Sequence, residues 1–373
     1  MSNSVYVVAG EISGDIHGAE LLEALSEQWE AVHFRGLGGP LMKSVCEDVV
    51  DWVDDAAVMG FWEVLKRYRW FKERFDQVLA EILAWKPSIL LLVDYPGFNL
   101  RLAKAVSQQL PETKIVHYVA PQVWAWNQKR IPKIVQTHDL LLCLFPFEVD
   151  LFESQGLRSR CVGHPLVDEL EEKRIDVRPD PTMVGLFPGS RDREVSRLFP
   201  VMLESVKILH HRYPGVRFYV AAASAQVEVI LRKSLSESGV AEGLVHIQSG
   251  GSQELMQRVG CGVVASGTAT LEAAYYGMPY CLVYQLAWPS YLLARQIVKV
   301  PYIGLINILA GRELVKEFVQ SEANSYQVSQ WLSRHLAHPS LRESLRKDLL
   351  ETASQLGGLG VHRRAAQEII SLF

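Results

Sequence analysis

Cysteine is scarce and unpatterned in this chain. Five thiols occur in 373 residues (Cys46, Cys143, Cys161, Cys261 and Cys281), with no CxxC pair and no zinc-type spacing. An odd number of cysteines, most of them in apolar runs, excludes a disulfide framework and reads as buried, reduced thiols of a cytoplasmic protein. Positive charge is not in surplus either. A formal net charge of −4 argues against a nucleic-acid binder but leaves room for local basic patches. Charges interrupt every long apolar run well short of the roughly 20 residues that span a bilayer. Met1-Ser2-Asn3-Ser4 leads straight into Val5-Tyr6-Val7-Val8 without a basic n-region or cleavage site, so no signal peptide is expected. No repeat or low-complexity tract is present. What remains is a globular chain, 49% hydrophobic and 21% charged, long enough for two cores rather than one.

Short apolar runs alternate with helical patterns. Strands are expected at 5–9, 32–36, 88–93, 114–118 and 140–144, with helices at 19–29 and 100–109. After the charged run Glu169-Leu170-Glu171-Glu172-Lys173-Arg174 and the proline-bracketed Arg178-Pro179-Asp180-Pro181, the pattern restarts. Strands follow at 183–187, 216–221, 245–247, 262–265 and 280–283, with helices at 193–212 and 253–259. Solid apolar strands joined by helices predict parallel sheets covered on both faces. The expected architecture is α/β: two Rossmann-like doubly wound domains facing a central cleft. The boundaries are 1–174 for the N-terminal domain, 175–345 for the C-terminal domain, and 346–373 for a C-terminal helix returning to the first domain.

Two turns in the second half have the make-up of phosphate loops. One is Gly267-Thr268-Ala269-Thr270-Leu271-Glu272, between the apolar run 261–266 and a helix of small residues. The other is Val184-Gly185-Leu186-Phe187-Pro188-Gly189-Ser190-Arg191, a strand, a Gly-Ser loop and a cation. Backbone N–H groups and hydroxyls at a helix start attract anions, so the pair points to a diphosphate. In the first half, Gly10-Glu11-Ile12-Ser13-Gly14-Asp15 lacks the Gly-x-Gly-x-x-Gly pattern. Its acids would repel a pyrophosphate, so it suits a hydroxylated acceptor, with Ser13 or Asp15 serving as a helix cap. Asp94 ends an apolar strand, where a base or a turn residue belongs. The segment 118–130 adds Trp124, Gln128 and a terminal Lys129-Arg130.

These residues bring a family into view. The chain resembles the lipid-A-disaccharide synthases, family-19 GT-B glycosyltransferases, over essentially its whole length. The matching signatures in the first half are Ala9-Gly-Glu-x-Ser-Gly-Asp15, Met59-Gly60 with Glu63-Val64-Leu65, Tyr118-Val-x-Pro-x-Val-Trp-Ala-Trp126 with Gln128-Lys-Arg130, and Val162-Gly-His164. In the second half they are Pro188-Gly-Ser-Arg191 with Glu194-Val195, Ala265-Ser-Gly-Thr-Ala-x-Leu-Glu272, and Asn307-x-Leu-Ala-Gly-Arg-Glu-Leu-Val315. Where the family often carries a second acid after its Asp-x-Pro, this chain has Gly97.

The resemblance implies an inverting transfer from UDP-2,3-diacylglucosamine to 2,3-diacylglucosamine 1-phosphate (lipid X), giving lipid A disaccharide 1-phosphate and UDP. Asp94 is the leading base, with Glu11, Ser13 and Asp15 beside it. Gly189, Ser190, Arg191, Ser266, Gly267 and Thr268 suit the diphosphate, and Asn307 and Arg312 the donor. Glu272 and Glu313 suit sugar hydroxyls, or are simply solvated. His164 is a cleft residue or a hinge-side one. No Asp-x-Asp motif is present, so no metal or other cofactor is expected, and Arg and helix-terminus donors would replace it. A homodimer with interleaved C-terminal parts is also implied.

Both substrates carry acyl chains, so a membrane face is expected at 58–75, which holds six aromatics and five basic residues against two acids. Val58, Met59, Phe61, Trp62, Leu65, Arg69 and Trp70 would meet the cytoplasmic face of the inner membrane as an interfacial helix. The alternative is a core-facing stripe with a solvated basic face. Two rival functions share the loops but need no acyl-chain surface: a UDP-N-acetylglucosamine 2-epimerase-like isomerase and a nucleotide-sugar sensor. A Rossmann dehydrogenase is disfavoured by Glu11.

Overall fold

The computed structural model describes residues 3–56, 67–288, 291, 292, 295 and 300–373. It divides into two compact units, residues 1–165 with 356–373, and residues 166–355.

The first unit is built on a seven-stranded sheet, all parallel: β1 (Ser4–Ala9), β2 (His33–Gly38), β3 (Val49–Asp51), β4 (Ile89–Val93), β5 (Lys114–Tyr118), β6 (Leu140–Cys143) and β7 (Ser159–Cys161). The strand order is β3-β2-β1-β4-β5-β6-β7. Ile89 through Val93 are wholly buried, the pattern of a central strand covered on both faces. One covering layer is the helix Ile12–Gln28 with the C-terminal helix Val361–Ile370. Leu21, Leu22 and Leu25 share a core with Val361, Ala365, Ala366 and Ile369. The other layer carries Trp52, Val78, Ile82, Phe98 and Leu102 against Tyr6, Val8, Leu90 and Leu92.

The second unit has six parallel strands, β8 (Asp180–Phe187), β9 (Arg217–Ala222), β10 (Val245–Ser249), β11 (Val259–Ala265), β12 (Tyr280–Tyr284) and β13 (Glu317–Val319), in the order β10-β9-β8-β11-β12-β13. The helix Asp192–Arg212 shows how its core forms. Val195, Leu198, Phe199, Met202, Leu203, Val206 and Leu209 recur at three- and four-residue steps, and all are buried. Truncating the fully buried Phe199 to Ala would cost about 3–5 kcal/mol.

The chain order reverses between β1 and β4 in one sheet and between β8 and β11 in the other. In open α/β sheets, ligands bind beyond the carboxyl ends of the strands at such switch points. The sequence placed the principal strands within a few residues and missed the three-residue edge strands β3, β7 and β13.

Two boundaries need correction. The second unit begins at Leu166 rather than 175, because the helix Leu166–Glu172 packs into it. The Tyr276 hydroxyl donates to Leu170 O at 2.9 Å, and the Gln257 amide binds Lys173 O and Ile175 N at 3.0 and 2.8 Å. Residues 346–355 also belong to the second unit, in the helix Pro339–Ala353; only 356–373 return to the first.

Candidate active site

At the switch point of the first sheet, β1 ends in Ala9-Gly10-Glu11 and β4 ends in Asp94. Ala9 and Val93 are direct partners across the two strands, so the loops leave the sheet side by side. Gly10 lies under the Tyr95 ring, where any side chain would collide. Glu11 is the exposed N-cap position of the helix Ile12–Gln28, and Ser13 is exposed in its first turn.

Asp94 and Tyr95 both adopt left-handed backbone (φ 45° and 49°), an unusual pair of consecutive non-glycine residues. Such conformations cost about 1–3 kcal/mol each and persist only where the surroundings over-determine them. Tyr95 is pinned by its hydroxyl to Ala56 O at 3.1 Å, by an edge contact with Trp52 and by a tilted one with Phe98. Burial pushes the Asp94 carboxyl up to about 6, with the charge of Glu11 adding to the rise.

Asp15 corrects the sequence reading. It is buried (3% exposed), and its carboxylate accepts the amides of Gly39 at 2.7 Å, Met42 at 2.9 Å and Leu41 at 3.0 Å. It thus caps the neighbouring helix Pro40–Val45, with three of its acceptor sites taken by backbone amides. Trp124 is likewise a packed residue. Its indole N–H donates to Glu148 at 2.9 Å, and that buried carboxylate also accepts Leu144 N and Phe145 N. Burial raises Glu148 to about 7 against the pull of these three donors. Gln128 folds back towards Trp124 O at 3.4 Å. Trp126 remains 43% exposed, with the Arg130 guanidinium stacked over it at 5.1 Å. His164 packs beside Phe145 and donates its backbone N–H to Leu356 O at 2.8 Å. Burial and nearby His17 hold its ring down at about 4, and so neutral.

At the second switch point, Phe187 at the end of β8 pairs with Val264 near the end of β11, so their loops also emerge together. Gly189 has φ 108°, and a side chain on it would strike the Glu194 carboxylate. Ser190 is exposed. Arg191 is the exposed N-cap residue of the helix Asp192–Arg212. Glu194 is raised by burial and lowered by Arg191, and Tyr284 at the end of β12 feels both charges. Beside them, Ser266 is half-buried, Gly267 (φ 150°) has open space around it, and Thr268 is exposed before the helix Ala269–Tyr275. Glu272 lies in that helix's first turn. Burial pushes it up to about 7, with Glu169 adding and Lys173 opposing.

Asn307 does not join this group. It is fully buried, and its amide is spent on Val315 O, Glu317 Oε1, Leu314 N and Val315 N at 2.8–2.9 Å. It clamps the helix Leu305–Ala310 to β13. Arg312 and Glu313 pair on the surface with Asp348 and Lys316, both at 2.9 Å.

The segment expected to meet the membrane divides. Val58, Met59, Phe61, Trp62 and Leu65 lie outside the described residues. Arg69 is exposed at the start of the helix Tyr68–Trp85. Trp70 is a correction: it stacks on buried Trp52 with centroids 6.1 Å apart, sits edge-on to Phe71, and packs against the core. Among the described residues no helix is long and apolar enough to cross a membrane.

One group of metal-capable side chains, His17, Glu20 and His362, has ligand atoms within 4.8 Å of one another. The Glu20 carboxylate and His362 Nδ1 lie 3.0 Å apart, joining the helices Ile12–Gln28 and Val361–Ile370. The residues the sequence reading missed near the site are Asn99, His117 and Tyr284. A histidine inside the apolar run of β5 was a visible signal for one of them.

The fold recurs in solved structures. MurG of Acinetobacter baumannii superposes with a TM-score of 0.60 at 12% identity over 99% of both chains. A UDP-GlcNAc 2-epimerase from Neisseria meningitidis, bound to UDP-GlcNAc, gives 0.59 at 12% over 99% of this chain and 100% of that one. At such identity the likeness is one of fold alone. Sequence comparison goes further. The lipid-A-disaccharide synthetase family model matches residues 5–370. Lipid-A-disaccharide synthases of Trichlorobacter lovleyi and Pseudomonas fluorescens are 36% and 38% identical, over 99% and 95% of this chain and 97% and 98% of theirs. With paired switch-point loops on a GT-B framework and a full-length match, the chain belongs to the lipid-A-disaccharide synthase family, glycosyltransferases of lipid A biosynthesis.

Proposed function

We infer that Asp94 is the general base of the family's condensation, in which UDP-2,3-diacylglucosamine and 2,3-diacylglucosamine 1-phosphate give the lipid A disaccharide 1-phosphate and UDP. The acceptor's 6-hydroxyl attacks the anomeric carbon of the donor, its proton passes to the Asp94 carboxylate, and UDP leaves with inversion. The observation that carries this reading is the carboxyl at the end of β4, raised to about 6. At pH 7 it is mostly ionised, yet it is a stronger base than an ordinary carboxylate. Glu11 keeps that affinity high and accepts a hydroxyl of the acceptor.

Arg191, with the backbone N–H of Gly189, the Ser190 hydroxyl and the Ser266–Thr268 turn, takes the charge that develops on the leaving diphosphate. Glu272, near neutrality and half-buried, accepts a hydroxyl of the donor. No metal takes part in this scheme. Because both substrates carry acyl chains, the enzyme works as a peripheral protein at the cytoplasmic face of the inner membrane, with Arg69 among its basic contacts.

The test is Asp94→Asn. Turnover should fall roughly 10²- to 10⁴-fold, the range of general-base catalysis, with UDP affinity kept. A near-parental rate would remove Asp94 from the mechanism and make Glu11 the base.

A further inference from the structure

The left-handed Asp94–Tyr95 turn is held by polar groups that packing alone does not require. The Asp94 amide donates to Tyr118 O at 2.9 Å. Its carbonyl accepts Asn99 Nδ2 at 2.8 Å and His117 Nε2 at 3.2 Å. Asn99 is fully buried. Its Nδ2 also reaches the carbonyls of Val8 and Val93, both at 3.3 Å, while its Oδ1 has no partner. An amide that leaves its own acceptor unpaired in a core is kept there for its donors.

His117 is fully buried inside β5, between Val116 and Tyr118, where an aliphatic residue would pack as well. Burial keeps both His117 and its neighbour His138 neutral at physiological pH. A carbonyl only accepts, so His117 Nε2 carries the proton that meets Asp94 O. Its Nδ1 lies 3.3 Å from His138 Nε2, and the other nitrogen of that ring, Nδ1, meets Ile134 O at 3.1 Å and the Thr137 hydroxyl at 2.9 Å.

We propose that His117 and Asn99 are positioning residues of the transfer, holding the Asp94–Tyr95 turn left-handed so that the Asp94 carboxylate stays fixed at the end of β4. This rests on Asp94 being the base. With the donors gone, the Asp94 carbonyl is orphaned, the turn relaxes towards extended backbone, and the carboxylate leaves its half-buried site. The groups that act on it there are the charge of Glu11 from the start of the first helix and the backbone amide of Tyr95 on its own turn, while neutral His117 from β5 meets the Asp94 carbonyl.

The experiment compares His117→Leu with His117→Gln, whose amide nitrogen can take the place of Nε2. In the folded Leu variant kcat should drop about 10- to 100-fold, the effect of a reacting group misplaced by about 1 Å. KM for the UDP-sugar should stay near the parent's, and the acid limb of the kcat–pH profile should move down as Asp94 becomes solvated. Gln should restore most of kcat and return the limb. If the Leu variant does not fold, Asn99→Ala, which removes the other donor to the Asp94 carbonyl, carries the test and should move the limb the same way. A folded His117→Leu, or in its place Asn99→Ala, with parental kcat and limb overturns the proposal. Asp94→Asn with parental turnover instead overturns the base assignment beneath it.

Discussion

Removing the Asn307 amide should unfold the second unit early without touching nucleotide recognition. In Asn307→Ala, the amides of Leu314 and Val315 and the carbonyl of Val315 lose their partner at once, and Glu317 loses a donor. Neutral bonds contribute about 1 kcal/mol each, one to a charged group about 1.5–3, and a buried orphan costs about 1–3. Allowing for water entering the gap, the loss is about 3–5 kcal/mol, a large share of the roughly 5–15 kcal/mol that holds a protein folded. At roughly 2–4 °C per kcal/mol for a unit of this size, the melting transition should fall by roughly 6–20 °C. Asn307→Asp is a sharper probe. It keeps an acceptor for the two amides but sets a second carboxylate against Glu317. Its folded-state pKa is therefore raised, so its instability should be greatest near neutrality and shrink as pH falls through the carboxylate range. Thermal unfolding by circular dichroism reads both variants, and titration calorimetry below the transition reads UDP binding. An Asn307→Ala protein as stable as the parent but deaf to UDP would refute this reasoning and return Asn307 to the donor site.

Three further outcomes follow from the geometry. Arg191→Ala should weaken UDP binding and slow turnover together, since in the proposed scheme one exposed guanidinium would serve both the ground state and the transition state, while EDTA should leave the parent's rate unchanged; a strong EDTA effect would mean a metal takes part. Asp94→Asn should stabilise the fold at pH 7–8 by about 1–3 kcal/mol, because a carboxyl raised to about 6 favours the folded state at low pH and loses that advantage as pH rises from about 4 through 6; urea titrations at pH 4 and 8 check the sign. Trp70→Ser should lower the melting temperature by breaking the stack on Trp52, whereas exposed Arg69→Ser should leave stability alone and weaken binding to anionic vesicles at low salt; a Trp70→Ser protein of parental stability would restore that indole to the membrane face.

Much of this protein is determined by its sequence alone. Solid apolar runs separated by helical periods dictate two parallel sheets. Glycine, serine and acid residues directly after β1, β4, β8 and β11 mark the switch-point loops, because strand ends and turn chemistry are local properties. The places of Asp94 after β4 and Arg191 at a helix start were legible for that reason. What a side chain does after its backbone is placed is decided by partners distant in sequence. Asp15 looks like a loop carboxylate until Gly39, Leu41 and Met42 bring their amides to it. Asn307 looks like a donor-site amide until β13 folds over it, and Trp70 looks interfacial until Trp52 arrives from an earlier turn of the chain. The left-handed Asp94–Tyr95 turn, and the donors of Asn99 and His117 that hold it, exist only once β1, β4 and β5 lie side by side. A buried polar group must find a partner wherever the fold supplies one, and only the tertiary structure reveals whether that partner is the protein or the substrate.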